Sequence, residues 1–123
     1  MSERIKKLEQ LKALAALIHA GQEAQLASAR QSERATQDEI ASLRHARQAE
    51  MDGLADAQGA AAIEAWLAWS RAQIGAAQSK QALQRAEVET RLAVFRKTFG
   101  RSAAIDDLLE KERLAQRQKQ TRA

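Results

Sequence analysis

Met51-Asp-Gly-Leu-Ala-Asp-Ala-Gln-Gly59 lies near the middle of the 123-residue chain and holds two of its five glycines. Helix-forming sequence runs away from it on both sides. Glycine loses more backbone entropy in a helix than any other residue, and it readily takes the left-handed conformation that ends one. The stretch from Gly53 to Gly59 therefore reads as the bend between two long antiparallel arms. The first covers about residues 3–52 and the second about 60–120, all in one domain.

Composition points the same way. There is no proline, aromatics make up 3% of the residues, and there is no cysteine. Ala, Leu, Gln, Glu, Lys and Arg dominate, and all favour helix. β-branched residues are sparse, which disfavours a sheet. The expected class is all-α: a long two-helix coiled-coil hairpin with a seam in place of a globular core. Disulfides and thiolate metal sites are excluded. No apolar run is long enough for a signal peptide or a bilayer span, so a soluble cytoplasmic protein is expected, without direct membrane insertion.

The net charge of +4 is unevenly spread. Residues 1–12 carry +2 (four basic, two acidic) and residues 91–123 carry +5 (nine basic, four acidic), leaving −3 for 13–90. A hairpin brings its termini together, so that end is expected to be basic and the bend end slightly acidic.

On the first arm Ser2 is a candidate N-cap. Ile5, Leu8, Leu11, Leu14, Ala15, Leu17 and Ile18 then form an apolar face wider than one neighbour needs. Between Gly21 and Gln37 the arm turns polar, with Leu26, Ala29, Ile40, Leu43 and Leu54 keeping an approximate rhythm of threes and fours. The second arm carries Ile63, Trp66, Leu67, Ser70, Ile74, Ala77, Gln81, Gln84, Val88, Leu92, Phe95 and Phe99 at similar spacing. Folding the arms about residue 56 or 57 pairs numbers that total about 113. Ile40 then faces Gln73 and Ile74, Leu43 faces Ser70, Leu26 faces Val88, and Glu33 meets Lys80. Ile18 faces Phe95, Leu14 faces Phe99 and Leu8 faces Ile105. Gly100 is either the end of one helix, with Ser102 capping the next, or a glycine tolerated inside one. The tail Arg113–Ala123 is polar and basic all round and is expected to fray.

Candidate sites are few. His19 and His45 lack the partners a helical metal site needs and read as seam or surface histidines. Asp106, Asp107 and Glu110 read as acidic residues opening a helix. No phosphate loop, triad or nucleophile elbow occurs, so neither catalysis nor a cofactor is expected. Trp66 and Trp69, with Arg71 adjacent, either reinforce a thin hairpin or anchor a partner. The basic end lacks stacking aromatics and has acidic residues interleaved, so a protein-binding tip is preferred to direct nucleic-acid binding.

The second arm carries Ala-Trp66-Leu-Ala-Trp69, Gln73-Ile-Gly, Ala86-Glu-Val-Glu-Thr-Arg-Leu, Phe95-Arg-Lys-Thr-Phe-Gly-Arg and Ile105-Asp-Asp-Leu-Leu-Glu-Lys. This pattern resembles the flagellar export protein FliJ family and its type III secretion counterparts, which are small antiparallel coiled-coil hairpins with an aromatic pair after the bend. The resemblance implies a non-enzymatic central stalk in a hexameric export ATPase, which also contacts the membrane-embedded export gate and export chaperones. It implies an ATPase-facing end comprising Arg4, Lys7, Leu14, Arg96, Lys97, Arg101 and Leu108. It implies a gate-facing surface comprising Leu43, Trp66, Trp69, Arg71 and Ile74. Shorter length, high alanine content and tryptophans in place of smaller aromatics set this chain apart from the family pattern. The alternatives are a general coiled-coil adaptor or chaperone and, after it, a basic nucleic-acid-binding hairpin.

Overall fold

The computed structural model describes residues 3–54 and 59–122. Two helices account for nearly all of them: α1, Glu3–Leu54, and α2, Ala60–Arg122, packed against each other as an antiparallel hairpin. Among the described residues there is no strand. The expected cap Ser2, residues 55–58 at the centre of the expected bend, and the side chain of Leu54 lie outside the described residues.

The glycines of the bend act differently from the expectation. Gly53 is inside α1. Gly59 precedes α2, and its carbonyl accepts from the amides of Ala62 (3.1 Å) and Ile63 (3.5 Å). Neither glycine has the positive φ of a left-handed cap. Gly59 thus starts the second helix, its carbonyl satisfying amides that have no intrahelical acceptor. Gly100 does not break α2, which runs through it and through the tail to Arg122.

Every described residue of α1 that is not exposed falls on one ladder: Ile5, Leu8, Ala15, His19, Gln22, Leu26, Ala29, Glu33, Thr36, Ile40, Leu43 and Arg47. From Ala15 onward the steps alternate between four and three, a 3.5-residue period that keeps one seam facing a partner helix. On α2 the matching ladder passes through Leu67, Ser70, Ile74, Ala77, Gln81, Gln84, Val88, Arg91, Phe95, Thr98, Ser102, Ile105, Leu109, Glu112 and Gln116, all buried or half-buried.

The described chain forms two compact units. One is Met1–Ala27 with Thr90–Ala123. Its core is the cluster of Ile5, Leu8 and Leu109, each side chain contributing at most about 1.5–3 kcal/mol by burial. Interhelical bonds set its register: His19 to Thr98, Arg4 to Glu112 and Arg91 to Gln25, with numbers totalling 117, 116 and 116. The other unit, Ser28–Glu89, has a mixed seam in which Ile40, Ile74 and Ala77 are buried among polar residues. There the Glu33 carboxylate accepts from Gln81 Nε2 and from Arg85 Nε, both at 3.1 Å. Lys80 Nζ lies 3.8 Å from Glu39.

These pairs correct the expected register by about one helical turn. Glu33 meets Gln81 and Arg85, and Lys80 meets Glu39 instead of Glu33. The physical reason lies in the seam's composition. Small and polar residues (Ala15, His19, Gln22, Thr98, Ser102) occupy the ladder, while Leu14, Ile18 and Phe99, expected within it, are exposed.

Candidate functional site

In the unit formed by Met1–Ala27 and Thr90–Ala123, the ladder residues occupy the a and d positions of a heptad. A self-sufficient two-helix coiled coil needs little more than those positions to be apolar. Here three g positions (Leu11, Ile18, Leu108) and the c position of Leu14 carry large apolar side chains as well. Leu11, Leu14 and Ile18 of α1 are 49%, 54% and 48% exposed, and Leu108 of α2 is 46% exposed. Leu11, Leu14, Ala15 and Ile18 with Thr98, Arg101 and Ile105 line a groove of about 170 Å³. Two leucines and an isoleucine at solvent-facing positions are a cost unless something covers them.

Charge separates by face within this unit. On this unit's g and c positions stand Arg4, Lys7, Lys97, Arg101, Lys111 and Arg122, and no carboxylate. The acidic residues Glu3, Glu9, Glu23, Asp106, Asp107 and Glu110 all fall at e, b or f positions. Glu112 is in the seam, half-buried, where Arg4 Nε reaches it at 3.1 Å. On the e side charges of both signs meet: Lys12 Nζ is 3.3 Å from Asp106, and Arg113 donates to Glu9 at 3.1 Å. That flank carries a wider open hollow of about 650 Å³ bordered by Lys12, Asp106, Glu110, Arg113 and Arg117, with both signs present. The g and c positions of the other flank carry basic charge only, Arg4 among them being paired with Glu112.

The acidic trio therefore has a different role from the one expected. α2 is continuous from Ala60 through Asp106 and Asp107, so no helix N-terminus is there to be stabilised. Asp106 instead joins the two helices through Lys12. His19 is a half-buried seam residue whose ring lies 4.7 Å from Phe95 and 5.9 Å from Phe99. The Thr98 hydroxyl donates to the Phe95 carbonyl at 2.9 Å. Its single proton is thereby used, so it accepts from His19 Nδ1 at 3.1 Å. Among the described residues no group of His, Asp and Glu is arranged to hold a metal ion.

All seven residues expected at the ATPase-facing end (Arg4, Lys7, Leu14, Arg96, Lys97, Arg101, Leu108) belong to this one unit and all are exposed. Arg96 sits at a b position, apart from the other basic residues of the g flank. The gate-facing set is divided. Trp69 is 58% exposed and Arg71 is exposed, but Trp66 is half-buried. Ile74, 7% exposed, and half-buried Leu43 belong to the seam of the other unit. The surface available there narrows to Trp69, Arg71 and the outer part of Trp66. Leu11 and Ile18, read from the sequence as part of a wide apolar face, complete the groove. Counting strict alternation of three and four back from Leu26 and Ile40 separates them from the seam.

Among the described residues no helix is long and apolar enough to cross a membrane. Comparison of the chain with protein families, with curated proteins and with solved structures gives no match.

Proposed function

We propose that this protein is a non-enzymatic stalk and coupling element of a flagellar or type III export ATPase, working at the cytoplasmic face of the export apparatus. The observation that carries the reading is the gathering of Arg4, Lys7, Leu14, Lys97, Arg101 and Leu108 on the exposed surface of one unit. A hairpin unit that is basic and apolar on its outside suits insertion among the subunits of a ring. The hexameric ATPase is the proposed partner there, with the export gate and export chaperones engaged elsewhere. Trp69 and Arg71 are the proposed anchors for the gate, since tryptophan and arginine concentrate binding energy at interfaces. The mechanism would be allosteric: one asymmetric stalk inside a symmetric ring favours some subunit conformations over others and so biases assembly and cycling.

A second reading, a general coiled-coil adaptor, is favoured by the exposed leucine groove, which any helical partner of suitable shape can fill. Hydrolysis and ring formation by the export ATPase, measured with and without the protein, separate the two. The stalk reading expects stimulation that is lost in Leu14→Glu/Arg101→Glu. Both positions are exposed, so circular dichroism should show helicity retained in that variant. Absence of binding and of stimulation by the wild-type chain would overturn the stalk reading.

A further inference from the structure

We infer that the g flank of the Met1–Ala27/Thr90–Ala123 unit is the docking groove for a third helix, one with an apolar stripe flanked by acidic side chains. The inference rests on reading this unit as the working part of the protein, and it names the chemistry of what the unit holds.

Three observations fix the occupant. First, apolar residues at g in addition to a and d are the pattern of a helix with more than one helical neighbour. Leu11, Ile18 and Leu108 extend the seam sideways, and the groove floor is made by Ala15 and Ile105 from the two helices. A concave trough between two helices accepts the side-chain ridge of a third. A flat lipid surface would be met better by a convex apolar edge. Second, the basic residues bordering the groove on that flank are Lys7, Lys97, Arg101 and Lys111, with no carboxylate at its g or c positions, Arg4 being paired with Glu112 in the seam. Charge complementarity calls for an acidic partner. A second copy of this chain docked through the same face would bring like charges together, so self-association here is disfavoured. Third, the centre of the flank is aliphatic. It offers no aromatic surface for stacking bases, which a single-stranded nucleic acid would use.

Lys7 and Ile18 of α1 are eleven residues apart, a rise of about 17 Å. A docked helix of about four turns would therefore cover the groove. Its apolar side chains would sit among Leu11, Leu14, Ile18 and Leu108. Glutamates or aspartates on its two borders would reach Lys7 on one side and Lys97 and Arg101 on the other. The opposite flank carries both signs, with Lys12–Asp106 and Arg113–Glu9 paired between α1 and α2, and has no such requirement.

The test uses the full-length protein and fluorescently labelled designed helical peptides of about 21 residues, followed by anisotropy. One peptide has a leucine stripe flanked by glutamates, and a second has the same stripe flanked by lysines. A third has the glutamates with the stripe scrambled. The glutamate-flanked peptide should bind at least about tenfold more tightly than either control, and its affinity should fall as salt is raised. Arg101→Glu should weaken it about tenfold, and Leu14→Glu should do the same at the apolar centre, with helicity retained in both. Equal binding of the lysine-flanked peptide, or binding unchanged in both variants, would overturn the proposal. Preferential binding to vesicles containing anionic lipid, or concentration-dependent self-association abolished by Leu14→Glu, would overturn it in favour of a membrane or a second copy. If the ATPase is not stimulated but the acidic peptide binds as described, the stalk reading fails and the groove assignment holds. The reverse result removes the groove assignment alone.

Discussion

Leu109 is the most enclosed large side chain among the described residues, at 1% exposed, and it forms the core cluster with Ile5 and Leu8. Because two helices provide so few buried apolar neighbours, its loss cannot be absorbed by a surrounding core. Leu109→Ala should cost about 2–4 kcal/mol, read as a lower urea midpoint, whereas Leu83→Ala, at a position 76% exposed, should change little. Polar seam residues predict the opposite sign. Gln22 sits on the ladder with its Oε1 buried and without a protein hydrogen-bond partner among the described residues. Replacing a buried, unsatisfied amide by an apolar side chain removes a desolvation cost, so Gln22→Leu should raise stability by about 1 kcal/mol. A destabilised Gln22→Leu variant would mean that the seam needs a polar group there. Glu33 differs, since its carboxylate receives both Gln81 and Arg85. Glu33→Ala leaves the half-buried Gln81 amide without its acceptor, while exposed Arg85 returns to water, and should destabilise by about 1 kcal/mol.

At the level of the helices, α2 tolerates Gly75 and Gly100 in its interior, and α1 tolerates Gly21. A Cβ added at Gly100 would meet nothing within 4 Å, and the residue does not occupy the left-handed region. Gly100→Ala should therefore stabilise the protein by about 0.5–1 kcal/mol, chiefly by narrowing the unfolded ensemble. A thermal midpoint that falls in this variant would indicate that the helix needs a flexible joint there. The same glycine shows how far the sequence could be read. Two long helices meeting near the middle of the chain followed from the absence of proline, the helix-forming composition and the two central glycines. Whether Gly100 stops a helix did not, because the local cost of a glycine is smaller than the gain from continuing a packed helix past it. The register was off by a turn for a related reason. Leu14, Ile18 and Phe99 look like seam residues by hydrophobicity, and they outrank the Ala15, His19 and Thr98 that hold the seam. The residues of the basic end were legible because charge is read directly from the chain. The sorting of that charge to one flank became visible only once the heptad was in register.

Across the whole chain, charge divides between the units more sharply than the total of +4 suggests. Met1–Ala27 with Thr90–Ala123 carries thirteen basic and seven acidic residues, a net of +6. Ser28–Glu89 carries seven basic and nine acidic, a net of −2. The interhelical ion pairs Arg4–Glu112, Lys12–Asp106, Arg113–Glu9, Arg85–Glu33 and Lys80–Glu39 each have at least one solvent-exposed partner, and such pairs are each worth about 0–1 kcal/mol. The hairpin is therefore held chiefly by its seam, and each helix depends on the other to bury it. This dependence can be measured by preparing residues 1–54 and 59–123 as separate peptides. Long helices of good propensity retain some helicity alone, but mixing the two should increase it. The melting midpoint of the mixture should rise with concentration, as it must when folding and association are one equilibrium. Joining the arms in one chain supplies an effective concentration on the order of millimolar. At micromolar concentration the cut pair should thus fold less favourably than the intact hairpin by about 4 kcal/mol. Equal helicity in the separate and mixed arms would mean that the seam contributes no stability and that each helix stands by its own propensity. A concentration-dependent midpoint that is barely altered by added salt would place the stability in the packed ladder. The basic flank would then be left to act in binding, where its charge is not used for folding.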